Sequence, residues 1–134
     1  MDHIRKALEG AVRAREHAHV PYSHFPVGAA AKVTGREEIV TGCNVENASF
    51  GATVCAERTA MFQAIVEQGK VGFDFIMVVT EEDPPAVPCA LCLQVMAEFC
   101  VPEMPIHLAT PGGVKRTVLL KELLPEPFTA FDAE

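Results

Sequence analysis

The chain has 134 residues, enough for one domain with a real core and too few for two. Apolar residues make up 49% and charged residues 22%, the profile of a folded globular protein. A formal net charge of -7, with 11 Lys and Arg scattered along the chain, argues against a polynucleotide partner, whose phosphates need clustered basic residues. No apolar run approaches the length of a helical membrane span, so no membrane partner is expected.

Asp2 can cap a first helix, in which Ile4, Ala7, Leu8, Ala11 and Ala18 fall at spacings of three and four. Pro21 is expected to end it. The same stretch lacks the apolar core of a secretory leader, so a reducing cytoplasm is the expected location. The thiols of Cys43, Cys55, Cys89, Cys92 and Cys100 are then candidates for metal binding or catalysis before disulfides. Val27–Val33 and Glu38–Cys43 flank Thr34-Gly35-Arg36 and read as a hairpin, its first strand made of small residues that allow close packing. Asn44–Gly51 reads as a loop. Val54–Gln68 is helical, with Ala60, Met61, Ala64 and Ile65 available for burial and Gly69 as a stop. Phe73–Thr80 reads as a buried central strand.

Glu81-Glu82-Asp83-Pro84-Pro85 is a solvated loop that leads to Pro88. A helix from Cys89 to Cys100 follows, apolar nearly all round, which in a short chain points to a subunit interface. Ile106–Ala109 and Val114–Leu120 are short strands about Pro111-Gly112-Gly113. There are no repeats and no linker, so residues 1–134 form a single α/β domain around one mixed sheet.

Two helix starts carry the chemistry. Cys55-Ala56-Glu57-Arg58 sets a thiol, a carboxylate and a guanidinium side by side, and Pro88-Cys89-Ala90-Leu91-Cys92 supplies two more thiols across one turn. Free N–H groups and the positive dipole end favour thiolate at both places. Three thiolates with a fourth position open to water are the pattern of a catalytic zinc site. Glu57 is placed to accept and return a proton rather than to close the shell. Three thiolates on a divalent cation leave one net negative charge, and Arg58, one turn beyond Cys55, can offset it. A closed structural zinc site would need a fourth ligand, and neither Cys43, Cys100 nor any histidine stands at a short ligand spacing.

These motifs resemble those of the small, all-cysteine, homotetrameric cytidine deaminases, and the resemblance spans nearly the whole chain. It is carried by Pro21-Tyr22-Ser23-His24-Phe25-Pro26-Val27-Gly28-Ala29-Ala30, by Asn44-Val45-Glu46-Asn47-Ala48-Ser49, and by Cys55-Ala56-Glu57-Arg58-Thr59-Ala60. Pro88–Cys92, Gln94–Phe99 and Leu123-Leu124-Pro125 with Phe128 add to it. The resemblance implies a three-layer α/β/α fold with a five-stranded mixed sheet. It implies zinc-dependent hydrolysis of cytidine and deoxycytidine to uridine and deoxyuridine with release of ammonia, a step of pyrimidine salvage. Carried onto this chain, it makes Cys55, Cys89 and Cys92 the ligands of one Zn²⁺ and Glu57 the proton shuttle. Asn44 and Glu46 would hold the ribose hydroxyls, Phe25 would line the base, and the backbone at Ala56 would read the ring carbonyl. Arg58 would donate to the ligand sulfurs, and Phe128 would complete a neighbouring subunit's pocket.

Two positions depart from the family pattern: Ala90 stands where a glycine is common, and Leu93 where an arginine is common. Two other readings stand beside the first. One is a deaminase of a modified cytosine nucleoside such as blasticidin S, against which the Asn44/Glu46 pair favours a substrate with ribose hydroxyls. The other is a non-catalytic zinc-stabilised module, which would have no use for Glu57.

Overall fold

The computed structural model describes residues 2–130. Its elements are α1 (His3–Arg15), β1 (Gly28–Val33), β2 (Ile39–Cys43), a short 3₁₀ turn (Phe50–Ala52), α2 (Ala56–Gln68), β3 (Phe73–Val79), α3 (Ala90–Phe99), β4 (Pro105–Thr110), β5 (Gly113–Leu119) and α4 (Leu120–Leu123). The five strands form one sheet in the order β2-β1-β3-β4-β5. β1 runs antiparallel to β2 and β3, β4 runs parallel to β3, and β5 returns antiparallel to β4. The sheet is therefore mixed, as the resemblance implies.

Strand alternation divides the core between the two faces. Ala30, Phe75, Met77, Val79 and Ala109 form one cluster with Ala7 and Ala11 of α1. Ala29, Ala31, Ile76 and Val78 turn the other way, against Ala56, Ala60, Met61 and Ala64 of α2 and Cys92, Leu93 and Met96 of α3. One helix on one face and two on the other give the three layers. The small residues of the hairpin let these layers approach closely. A Cβ on Gly28 would stand 2.0 Å from the Ala11 carbonyl oxygen, and one on Gly42 would stand 2.3 Å from Thr59 Oγ1 and 2.5 Å from Ala60 N. Both contacts involve backbone and could not be relieved by a side-chain turn.

The Asp2 cap forms as expected, its carboxylate accepting from the Arg5 N–H at 3.0 Å. The end of the first helix is a correction. It stops at Arg15, before Ala18 and well before Pro21, because the chain must leave the helix to meet the loop after β2. His19 N donates to Asn44 O, and Glu46 N donates to His19 O. Propensity favours helix through Ala18, but these long-range backbone bonds win. The last strand also ends one residue early, where Leu120 begins α4.

Candidate active site

The thiols stand where two helices start on the same face of the sheet. Cys55 and Cys89 are the N-cap residues of α2 and α3, with nearly the same extended backbone: φ -73°, ψ 159° and φ -72°, ψ 165°. Cys92 lies two residues inside α3 and is fully buried. The three Sγ atoms lie within 4.8 Å of one another, with Cys55 and Cys89 3.7 Å apart. A tetrahedral zinc with Zn–S bonds of about 2.3 Å requires sulfurs about 3.8 Å apart. The donor set and its spacing fit the ion. Among the described residues this is the one such cluster of potential ligands.

The thiols and the charged groups around them are coupled. Hydrogen bonding from the Cys92 thiol pulls the Cys55 sulfur down to about 5 against the effect of burial, with further help from Arg58 and Cys89. The Cys92 thiol is held protonated by that same bond and by burial. Arg58 Nη2 donates to Cys55 Sγ at 3.5 Å, while its buried Nε has no partner among the described residues. Burial opposes the Arg58 charge, but hydrogen bonds to the sulfurs of Cys55 and Cys92 more than offset it. Leu93, where an arginine is common, is buried in the larger core cluster. Arg58 is thus the cation that bonds to the sulfurs of Cys55 and Cys92. Ala90 opens α3 with its side chain exposed, so its added methyl meets no obstacle.

Glu57 is the second residue of α2 and only 4% exposed. Burial raises its carboxyl to about 7, where one group can take up and release a proton at neutral pH. It lines a cavity of about 300 Å³ together with Cys55, Ala56 and Cys89. The far side of that cavity carries Asn44, Glu46, Ser23 and Thr53, and its walls include Phe25, Val27, Val78, Thr80, Ala86 and Val87.

The polar far side is built by loop clamps. Asn44 Oδ1 accepts from Val27 N and its Nδ2 donates to Phe25 O, both at 2.9 Å. One Nδ2 hydrogen remains for a ligand. Glu46 accepts from the N–H groups of Tyr22 and Ser23 at 3.1 Å, and a short bond joins it to the Ser23 hydroxyl. The Ser23 bond is the main cause that holds the Glu46 carboxyl below the usual range.

A family model for the cytidine and deoxycytidylate deaminase zinc-binding region matches residues 1–108. The chain belongs to this family. A cytidine deaminase of Sporosarcina psychrophila is 43% identical over 130 residues, which cover 96% of this chain and 93% of the relative. One from Halalkalibacterium halodurans is 44% identical over 125 residues, covering 93% of each chain. The crystal structure of cytidine deaminase from Burkholderia pseudomallei superposes with a TM-score of 0.85 at 43% identity, over 92% of this chain and 98% of that one.

Within this deaminase fold the structure brings Phe25, Asn44, Glu46, Cys55, Ala56, Glu57 and Cys89 onto one cavity, with the Cys92 sulfur beside those of Cys55 and Cys89 and Arg58 bonded to Cys55. Phe128 does not line the cavity of its own chain. It is 59% exposed, and its carbonyl accepts from Gln94 Nε2. Sequence reasoning missed Ser23, Val27, Thr53, Val78, Thr80, Ala86 and Val87 as cavity residues. Only Thr80 carried a local signal, a hydroxyl that ends an apolar strand.

Proposed function

We propose that the protein is a zinc-dependent cytidine deaminase, converting cytidine and deoxycytidine to uridine and deoxyuridine with release of ammonia in pyrimidine salvage. The observation that carries the reading is the joint placement of a three-thiol cluster and a buried carboxyl at one cavity. Cys55, Cys89 and Cys92 would hold one Zn²⁺ per chain. When bound, the ion supplies Lewis acidity that makes water a nucleophile at neutral pH.

The chain's own groups do the rest. Phe25 and the apolar wall exclude water from the base, and the free N–H of Ala56 at the start of α2 donates to the pyrimidine carbonyl. Asn44 and Glu46 hold the ribose hydroxyls, which orients C4 of the ring toward the thiol end. Glu57 accepts a proton from the attacking water and delivers it to ring N3. It then carries the second proton to the exocyclic nitrogen, so that the C4–N bond breaks to ammonia and a C4 carbonyl remains. Arg58 offsets the excess negative charge of three thiolates.

The assembly we propose is a homotetramer in which Phe128 reaches a neighbour's cavity. Its exposure supports this, as do Phe62, Val66, Leu91 and Val101, which lie exposed on or beside α2 and α3. Five unpaired cysteines fit a cytoplasmic location.

The test incubates the zinc-loaded protein with cytidine, deoxycytidine, cytosine and blasticidin S and measures ammonia. The two nucleosides should turn over, and cytosine should not. Glu57→Ala should keep its zinc while turnover falls by about 10³-fold or more. Full activity in that variant overturns the mechanism, and preference for blasticidin S overturns the substrate.

A further inference from the structure

Three side-chain hydroxyls line the cavity, and two of them are engaged. Ser23 donates to Glu46, and Thr53 accepts from the Asn47 N–H at 3.2 Å. The third belongs to Thr80, whose side chain is 1% exposed and whose Oγ1 has no partner among the described residues. Its backbone is fixed, since Thr80 N donates to Ala109 O at 3.1 Å. Strand alternation sets its direction. Ile76 and Val78 face α2 and α3, and Thr80, two residues on, continues that face at the end of β3.

No protein group among the described residues pairs with this hydroxyl. Phe25, Val27, Val78, Ala86 and Val87 make the adjoining wall apolar. A valine would have the same shape and would suit a strand end at least as well. Leaving a buried hydroxyl unpaired is less stable than placing a methyl there. Thr80 lines the cavity, and its hydroxyl can change direction by rotation about χ1 between staggered wells. A pyrimidine nucleoside in that cavity carries a ring carbonyl, a ring nitrogen and an amino group, and its carbonyl and amino group can each make a hydrogen bond beyond those proposed from Ala56 and Glu57.

We infer that Thr80 is a specificity-determining residue of the pocket, its hydroxyl hydrogen-bonding the polar edge of the pyrimidine base once a nucleoside is bound. The inference rests on the proposed nucleoside reading of the same cavity. It gives the base a contact from the sheet, in addition to those from the two helix starts and the loops.

The test compares wild type, Thr80→Val and Thr80→Ser, each metal-loaded, in uridine binding by calorimetry, in cytidine turnover and in thermal unfolding. Thr80→Val should bind uridine about tenfold more weakly and lose a similar factor in kcat/KM, mostly through KM. Thr80→Ser should restore both. Thr80→Val without ligand should melt no lower than wild type, because no protein group pairs with the hydroxyl that is lost. A purely structural role would move stability and binding in the same direction. Unchanged uridine binding in Thr80→Val overturns the inference, as does a serine variant as weak as the valine, or a valine variant that melts lower than wild type. Uridine binding is read without turnover, so a wild type that binds uridine but releases no ammonia counts against the proposed activity alone.

Discussion

The two ends of the cavity are built in opposite ways. At the thiol end, every group hangs on the first turn of a helix: Cys55 and Glu57 on α2, Cys89 and Cys92 on α3. Glu57 and Cys92 are buried there. At the other end, Asn44, Glu46 and Ser23 sit on loops and are fixed by hydrogen bonds to other loop backbone. The proposed chemistry is thus mounted on helix starts, and the proposed recognition on loops pinned by hydrogen bonds.

If that division holds, damage at the two ends should differ in kind. The largest effect belongs to Cys92→Ala, which should lose the metal and essentially all turnover, read by metal content and ammonia release. A variant that retains one equivalent of tightly held zinc would show that the three-thiol cluster is not the site. Glu46→Gln at the loop end should raise KM for cytidine by about tenfold or more, with kcat changed much less, since it weakens charge-assisted bonds to hydroxyls and to Ser23. A fall in kcat with KM intact would erase the distinction between the ends. Arg58→Gln should be milder still, lowering kcat by about tenfold while zinc is kept. That loss should exceed the loss from the same change in a relative with arginines at both positions, and equal losses would show that Leu93 shifts no burden onto Arg58.

The same contrast explains what could be seen in the sequence. The thiol end is legible because its groups are close in the chain: Cys55 and Glu57 stand two positions apart, and Cys89 and Cys92 three. Helix geometry converts that spacing into direction. The hairpin, the central strand and the helices after Cys55 and Cys89 were equally plain from local pattern. The clamp between Ser23 and Glu46 spans 23 residues, and no periodicity announces it. The early end of α1 was hidden for the same reason, since the backbone bonds joining His19 to Asn44 and Glu46 decide it. Thr80 lay in view at the end of its strand, but its lack of a partner is a property of the packed wall and not of the sequence around it.

The close approach at Gly42 carries a consequence for inherited variation in this protein. α2 rests on the hairpin where there is no side chain, and the helix bearing Cys55 and Glu57 takes its height above the sheet from that absence. A single-base change that gave alanine at position 42 would touch neither nucleoside nor metal. It would press on α2 at Ala56, Thr59 and Ala60 and displace the thiol and the acid together. A genetic screen for inactive alleles would therefore find this glycine beside the ligand cysteines, and an assay of substrate contacts would give no hint why.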